Sequence, residues 1–198
     1  MRAIAGIILS AGSSRRFGED KLTQLVDGKI LVAHVVEAAL MAHLDEIVLV
    51  TRAGDEVIPS ALPLAPRLRV VENLDHLEGM SSSLKCGLRA LGDSIDAAMV
   101  LLGDEPEITP NQIQAMIQAY LVSGAQALRA SYQGRVGHPV VLARALWPDL
   151  LLEEGDIGAR RILEKTSGIE VVEVGGRAPI DVDTREDLAA LRRRLSRM

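Results

Sequence analysis

Runs of apolar residues recur at 3–9, 46–51, 68–72 and 97–102, and again near 126–131, 139–143 and 169–174. Each run is apolar throughout instead of alternating with polar positions, the mark of a strand covered on both faces. The segments between them carry apolar residues at helical spacing: Leu31, Val35, Val36, Ala39 and Leu40, then Leu84 to Leu91, then Ile113, Met116, Ile117 and Tyr120. Strands alternating with helices predict an α/β fold, a three-layer, doubly wound arrangement around a mostly parallel sheet. Such sheets bind ligands at the carboxyl ends of their strands. The segments 10–21 and 103–106 both leave strands at that end, so they are expected to converge. Three prolines between Pro59 and Pro66 read as a surface connection. Beyond residue 132 the pattern loosens, through Gln133–Pro139 and Glu153–Asp156, and this part is expected to recognise a second substrate.

The first of these segments carries the most specific chemistry. Leu9-Ser10-Ala11-Gly12-Ser13-Ser14-Arg15-Arg16-Phe17-Gly18-Glu19-Asp20-Lys21 continues directly from the run at 3–9. Glycines such as Gly12 and Gly18 let a backbone bend sharply and approach a ligand closely. Backbone N–H groups in such a loop cradle phosphate oxygens, and cations such as Arg16 and Lys21 neutralise them. Five residues separate Gly12 from Gly18, one more than a Walker A loop allows, and no G-x-G-x-x-G fingerprint is present. A nucleotide is therefore the leading ligand. The bland alternative is a solvated connection between strand and helix.

Composition narrows the picture. At 198 residues with 48% hydrophobic content, the chain can bury one sizeable core and reads most simply as one domain. Aromatic residues make up only 2%, so that core must be built from Leu, Ile, Val and Ala. A net charge of −5 leaves no electrostatic footprint for nucleic acid. The cluster Arg192, Arg193, Arg194 and Arg197 suits the last turns of a C-terminal helix, where cations complement the dipole. The lone Cys86 excludes an intramolecular disulfide and a cysteine zinc set, and reads as a small buried hydrophobe. No apolar stretch reaches membrane-spanning length, and the opening Met1-Arg2-Ala3-Ile4 lacks the character of a signal peptide, so the expected location is the cytoplasm.

Two carboxylate motifs suit a divalent cation. The run at 97–102 delivers the chain to Gly103-Asp104-Glu105-Pro106. A carboxylate at the end of a rigid strand is well placed for Mg²⁺, which takes oxygen ligands and shares them with substrate phosphates. Ile180-Asp181-Val182-Asp183-Thr184 supplies a second pair, and in a strand Asp181 and Asp183 share one face. Thr184 suits the cap of a helix starting near Arg185, with Asp187 at its third position. Glu78-Gly79-Met80-Ser81-Ser82-Ser83-Leu84 opens a helix whose N–H groups can face an anion, with serine at the cap. Taken singly, each motif also reads as an ordinary turn, strand end or cap.

Together and in this order, the motifs resemble those of the nucleotidyltransferases that build molybdenum-cofactor dinucleotides. The family loop Leu-Ala-Ala-Gly-x-Ser-x-Arg-Met/Phe-Gly-x-x-Lys is matched at Gly12, Ser14, Arg16, Phe17, Gly18 and Lys21, with Ser10 in place of alanine. The aspartate motifs match with Glu105 in place of glutamine and Arg185 in place of proline. Gly79-Met80-Ser81 and the Asp-x-Asp-Thr pattern resemble the cytidylyltransferase branch. Gly137-His138-Pro139-Val140 and Gly155-Asp156-Ile157-Gly158-Ala159-Arg160 complete the match.

The resemblance implies a Rossmann-like nucleotidyltransferase fold of the nucleotide-diphospho-sugar transferase type. It implies a nucleotide-binding part over about 1–110 and an acceptor-binding part over about 111–198. Nucleotide contacts would come from Leu9, Ser10, Ala11, Gly12, Ser14, Arg16, Gly18 and Lys21, and from Gly79, Met80, Ser81 and Ser82. Asp104 and Asp183 would hold Mg²⁺. His138, Pro139, Asp156 and Arg160 would contact a phosphorylated pterin acceptor. In the implied reaction the terminal phosphate of that acceptor attacks the α-phosphorus of an NTP, and pyrophosphate leaves; Arg16, Lys21 and Asp104 carry the catalysis. CTP is the donor implied by the branch, and a molybdoenzyme is the implied recipient of the product. Glu105 is expected to add a negative charge beside the metal. Two alternatives stay open: a transferase of the same fold using GTP or a sugar or polyol phosphate, and a non-catalytic accessory protein that holds cofactor for a molybdoenzyme.

Overall fold

In the computed structural model, which describes residues 2–12, 17–155 and 159–195, the apolar runs assemble into one seven-stranded sheet. In chain order the elements are β1 (Ile4–Leu9), β2 (Leu25–Val26), β3 (Lys29–Ile30), α1 (Leu31–Met41), β4 (Glu46–Arg52), α2 (Val57–Ser60), β5 (Leu68–Asn73) and α3 (Met80–Ala90). They continue with β6 (Ala97–Leu102), α4 (Pro110–Ser123), β7 (Ala127–Tyr132), β8 (Arg135–Ala143), α5 (Trp147–Leu152), α6 (Arg160–Lys165), β9 (Ile169–Glu173) and α7 (Arg185–Leu195). The order across the sheet is β5-β4-β1-β6-β8-β7-β9, with β2 and β3 forming a separate short ladder. β8 is antiparallel to β6 and β7, and the remaining pairs are parallel.

β1 shows why the strands carry no polar alternation. Ile4 and Ile8 enter a core shared with α1, α4 and α7, while Ala5 and Ile7 enter a second core shared with α3, α5 and α6. Both faces are dry, so both parities of the strand must be apolar. Packing also decides the fate of α3. Its first turn holds three serines and its middle a glycine, poor helix formers. Leu84 and Leu88 bury in the second core, each worth about 1.5–3 kcal/mol, and this outweighs the propensity deficit. Gly87 is what permits the approach. A Cβ there would lie 2.5 Å from Ile7 Cγ2, a rigid methyl of a β-branched side chain.

Four sequence expectations need correction. Residues 177–183 form no strand. β6 is already paired on both sides by β1 and β8, so the segment passes beside its end without joining the sheet, its Val182 N–H donating to the Asp104 carbonyl at 3.0 Å. The loosely patterned stretch 133–139 is mostly ordered strand, reached by a tight turn at Gln133 and Gly134, both with positive φ. α3 is capped by Gly79, not by serine; with φ 98° this position favours glycine. Cys86 is half-buried, with its thiol donating to the Glu72 carbonyl at 3.5 Å and burial pushing its pKa up.

Substituting Gly87→Ala is expected to cost about 1–3 kcal/mol by overpacking α3 against β1. Urea unfolding checks this; an unchanged midpoint would show that the helix can move aside.

Candidate functional site

The carboxyl ends of β1 and β6 are stitched together. Gly103 N–H donates to the Leu9 carbonyl at 2.9 Å, and a Cβ on Gly103 would stand 3.0 Å from that same oxygen. Ser10, the departure from alanine, is 2% exposed and donates its hydroxyl to the Val50 carbonyl at 2.6 Å. It thereby joins β1 to β4 and fixes where the loop begins. At the far end of the loop, Asp20 accepts from the Leu22 N–H at 3.1 Å and pairs with Arg52 at the end of β4. Arg185, the departure from proline, pairs with Glu19 at 3.0 Å and ties the start of α7 to the loop. Ser14 and Arg16 lie outside the described residues.

These anchors aim Lys21. Its ammonium donates to Asp104 Oδ2 and Asp183 Oδ1, both at 2.7 Å. Lys21 is only 9% exposed. Burial pulls its pKa down, but the charges and hydrogen bonds of Asp104 and Asp183 outweigh this, and the net shift is upward. Two carboxylates that converge on one nitrogen can converge on one cation, and their hard oxygens suit a divalent ion. The described residues hold no cluster of three or more metal-ligating side chains. A cation bound here must complete its shell with water and substrate oxygens, the way Mg²⁺ is usually held.

Beside this triad a second carboxyl pair behaves differently. Glu105 is 8% exposed, and burial, the charges of Asp181 and Asp104 and its hydrogen bond to Asp181 push its pKa up to about 9. Asp181 is itself raised by burial and by the Asp104 and Asp183 charges. Burial and the neighbouring carboxylates thus favour the neutral form of Glu105, where the sequence alone suggests a charge.

A cavity of about 650 Å³ opens over these groups. Leu9, Ser10, Ala11, Gly12 and Lys21 line it from the loop, Asp104, Asp181 and Asp183 from the carboxylate side, and Gly79, Met80 and Ser83 from the start of α3. Ser81 and Ser82 face a smaller recess with Lys85 and Glu154. Asn73 organises this corner by donating to Ser82 Oγ at 2.9 Å and Ser83 Oγ at 3.1 Å. His76 and Leu77, in a short turn before α3, also line the cavity, and no motif in the sequence singles them out.

The residues read as acceptor contacts are dispersed. His138 sits on β8, where burial and the positive charge of Arg129 hold its pKa down to about 4 while Asp104 pulls it up. Its carbonyl accepts from the Tyr132 hydroxyl at 2.5 Å. Pro139 is buried beside it. Arg160 is exposed at the start of α6, paired with Glu164 at 2.9 Å, and does not line the cavity. Asp156 lies outside the described residues. Among the described residues no helix is long and apolar enough to cross a membrane.

Comparison with known proteins agrees with this fold. Residues 6–171 match the model of the MobA-like NTP transferase domain. The purine catabolism protein PucB of Bacillus subtilis is 28% identical over 98% of both chains. A probable molybdenum cofactor guanylyltransferase of Thermococcus gammatolerans is 29% identical, covering 94% of this chain and 97% of its own. Among solved structures, a homologue of Mycobacterium tuberculosis Rv0371c from Mycobacterium sp. strain JC1 matches with a TM-score of 0.87 and 27% identity, over 100% of this chain and 99% of that one.

His138 gives a pH prediction. Its folded pKa lies below the ordinary 6.5, so unfolding takes up a proton between those values. Its contribution to stability is full above pH 6.5 and is lost as pH falls toward 4, at up to about 1.4 kcal/mol per pH unit. His138→Asn is expected to flatten the stability curve between pH 6.5 and 4. Urea titrations at pH 7 and 5 measure it, and an unaltered difference would contradict the neutral imidazole.

Proposed function

Because this chain belongs to the MobA-like NTP transferase family, we propose that it joins a nucleotide to the terminal phosphate of a molybdopterin acceptor and releases pyrophosphate. The observation that carries this reading is the Lys21 ammonium held between Asp104 and Asp183 at the floor of a cavity bounded by the phosphate loop and the start of α3. An acceptor phosphate is already anionic, so the reaction needs no Ser-His-Asp triad. It needs two anions aligned and their developing charge neutralised.

Asp104 and Asp183 would hold Mg²⁺, which would supply positive charge to stabilise the reacting phosphates. Lys21, held by the same carboxylate pair, would turn its ammonium toward the departing pyrophosphate, and the N–H groups of Leu9–Gly12 would add donors, with Arg16 assigned the same task by the family motif. Gly12 is exposed and a Cβ there meets nothing within 4 Å, so the backbone is open to phosphate oxygens. The nucleotide-binding part covers about 1–110 and the acceptor-binding part about 111–198 of one domain. His138 and Pro139 stand at the acceptor side, and Asp156 and Arg160 belong to the segment that meets the acceptor.

For the donor we propose CTP, supported by Gly79-Met80-Ser81 at the nucleotide side. The guanylyltransferase name of one relative favours GTP as the second reading. Thermal shifts with CTP, GTP, ATP and UTP, with and without Mg²⁺, separate the two. A ligand at 100 times its Kd stabilises by about 2.7 kcal/mol. A Mg²⁺-dependent shift selective for CTP supports the cytidylyl reading, and one selective for GTP replaces it. No shift with any nucleotide, and no pyrophosphate released with molybdopterin, would favour an accessory protein.

Two substitutions probe the chemistry. Asp104→Ala is expected to fold and to lose metal-dependent pyrophosphate release; full activity would remove Asp104 from the mechanism. Lys21→Ala should lower kcat/KM by an amount equivalent to about 2.7–4 kcal/mol, the scale of losing one oriented electrostatic donor. An unchanged kcat/KM would contradict its assigned part.

A further inference from the structure

Arg129 has no role in the site as described, and its surroundings are unusual. It lies on β7, which is flanked by β8 and β9, and its side chain is largely covered. Its Nε is buried with no hydrogen-bond partner, and no carboxylate pairs with the guanidinium among the described residues. A guanidinium cannot shed its charge, so covering one without an anion is costly. Such a group persists where something outside the chain completes it.

The local backbone says where that partner comes from. β7 and β8 are in step up to Arg129, which faces Val140, and the next pair is Ala130 with Gly137. The two residues left over on β8 are His138 and Pro139, so the irregularity sets His138 directly beside Arg129. Bulges of this kind re-aim side chains next to active sites. Val140 also pairs with Val100 of β6, four residues before Asp104, so the bulge opens toward the carboxyl end of β6. The charges agree: Arg129 and Asp104 both act on the His138 imidazole, the first lowering its pKa and the second raising it.

We infer that Arg129, with His138 beside it, is an anion subsite that holds the phosphate of the acceptor next to Asp104. The assignment rests on the reading that a phosphorylated acceptor enters on this side. Arg129 supplies the planar, bidentate donor that a phosphate monoester prefers. His138, being neutral, adds a hydrogen-bonding nitrogen without a second charge. Arg160, the cation that the sequence motif offers for the same task, is exposed and already paired with Glu164.

The test uses the full chain with inorganic phosphate as probe at fixed ionic strength, acetate serving as the carboxylate control, and melting temperature as readout. Wild type is expected to respond saturably to phosphate, and to keep that response with CTP, GTP and Mg²⁺ present. Arg129→Met should melt higher than wild type without phosphate, because an uncompensated charge is gone. It should bind phosphate at least tenfold more weakly while its nucleotide shift stays the same. Arg129→Lys should recover part of the phosphate affinity. Phosphate affinity unchanged in both variants overturns the inference, as does a response lost on nucleotide binding or in Lys21→Met, which would put the phosphate in the nucleotide loop. A lower starting melting temperature with the same phosphate response would mark Arg129 as structural. An equal response to acetate would replace phosphate by a carboxylate. An Arg129-dependent phosphate response without any nucleotide shift would leave the subsite standing and sink the nucleotidyl reading.

Discussion

The site depends on one shared ion contact. Lys21 lies 83 positions from Asp104 and 162 from Asp183, yet its ammonium touches both at 2.7 Å. Burying a lysine costs several kcal/mol unless it is paired and hydrogen-bonded, so the loop, the end of β6 and the segment before α7 must arrive together. Two carboxylates that meet on one ammonium can also meet on one divalent cation, while the lysine stays close enough to serve the phosphates that such a cation brings.

Around this contact the chain accepts several arrangements that do nothing for stability. Glu105 is pushed toward its neutral form with a pKa of about 9, His138 is held neutral near pKa 4, and Arg129 and Ser81 carry buried atoms without partners. Each opposes the tendency of a folded interior to satisfy its polar groups. They collect on the carboxyl-end side of the sheet, where ligands of this architecture bind. The rest of the sheet supplies the compensation, since residues such as Ile4, Ile7, Ile8 and Met99 are fully buried in its two cores. Rigid apolar strands thus carry a polar and internally frustrated rim.

Much of the fold was legible because parallel strands covered on both faces leave nearly continuous apolar runs, and 46–51 and 97–102 correspond closely to β4 and β6. The convergence of Lys21 with Asp104 also followed from pattern, since both loops leave strands at the same end. Other features left no trace in the pattern. The path of 177–183 is set by which sheet edges are free, and that depends on the whole sheet. The preference of Glu105 for its neutral form comes from burial beside Asp181, whereas its letter in the sequence promised a charge. Arg129 carries no signal of its own in the sequence, because a two-residue irregularity on another strand decides what it faces. Residues such as His76 and Leu77 enter the site through the geometry of a connection, which spacing does not encode.

The central claim is that Lys21 and Asp104 act as one unit, and a double-mutant cycle tests it most directly. Unfolding free energies of wild type, Lys21→Met, Asp104→Asn and the double variant give the interaction energy between them. For groups in direct contact within one network the coupling should fall at about 0.5–3 kcal/mol, with the double variant less damaged than the sum of the singles. Effects that add to within about 0.3–0.5 kcal/mol would mean that the two side chains do not sense one another, and that the site is not organised around this pair.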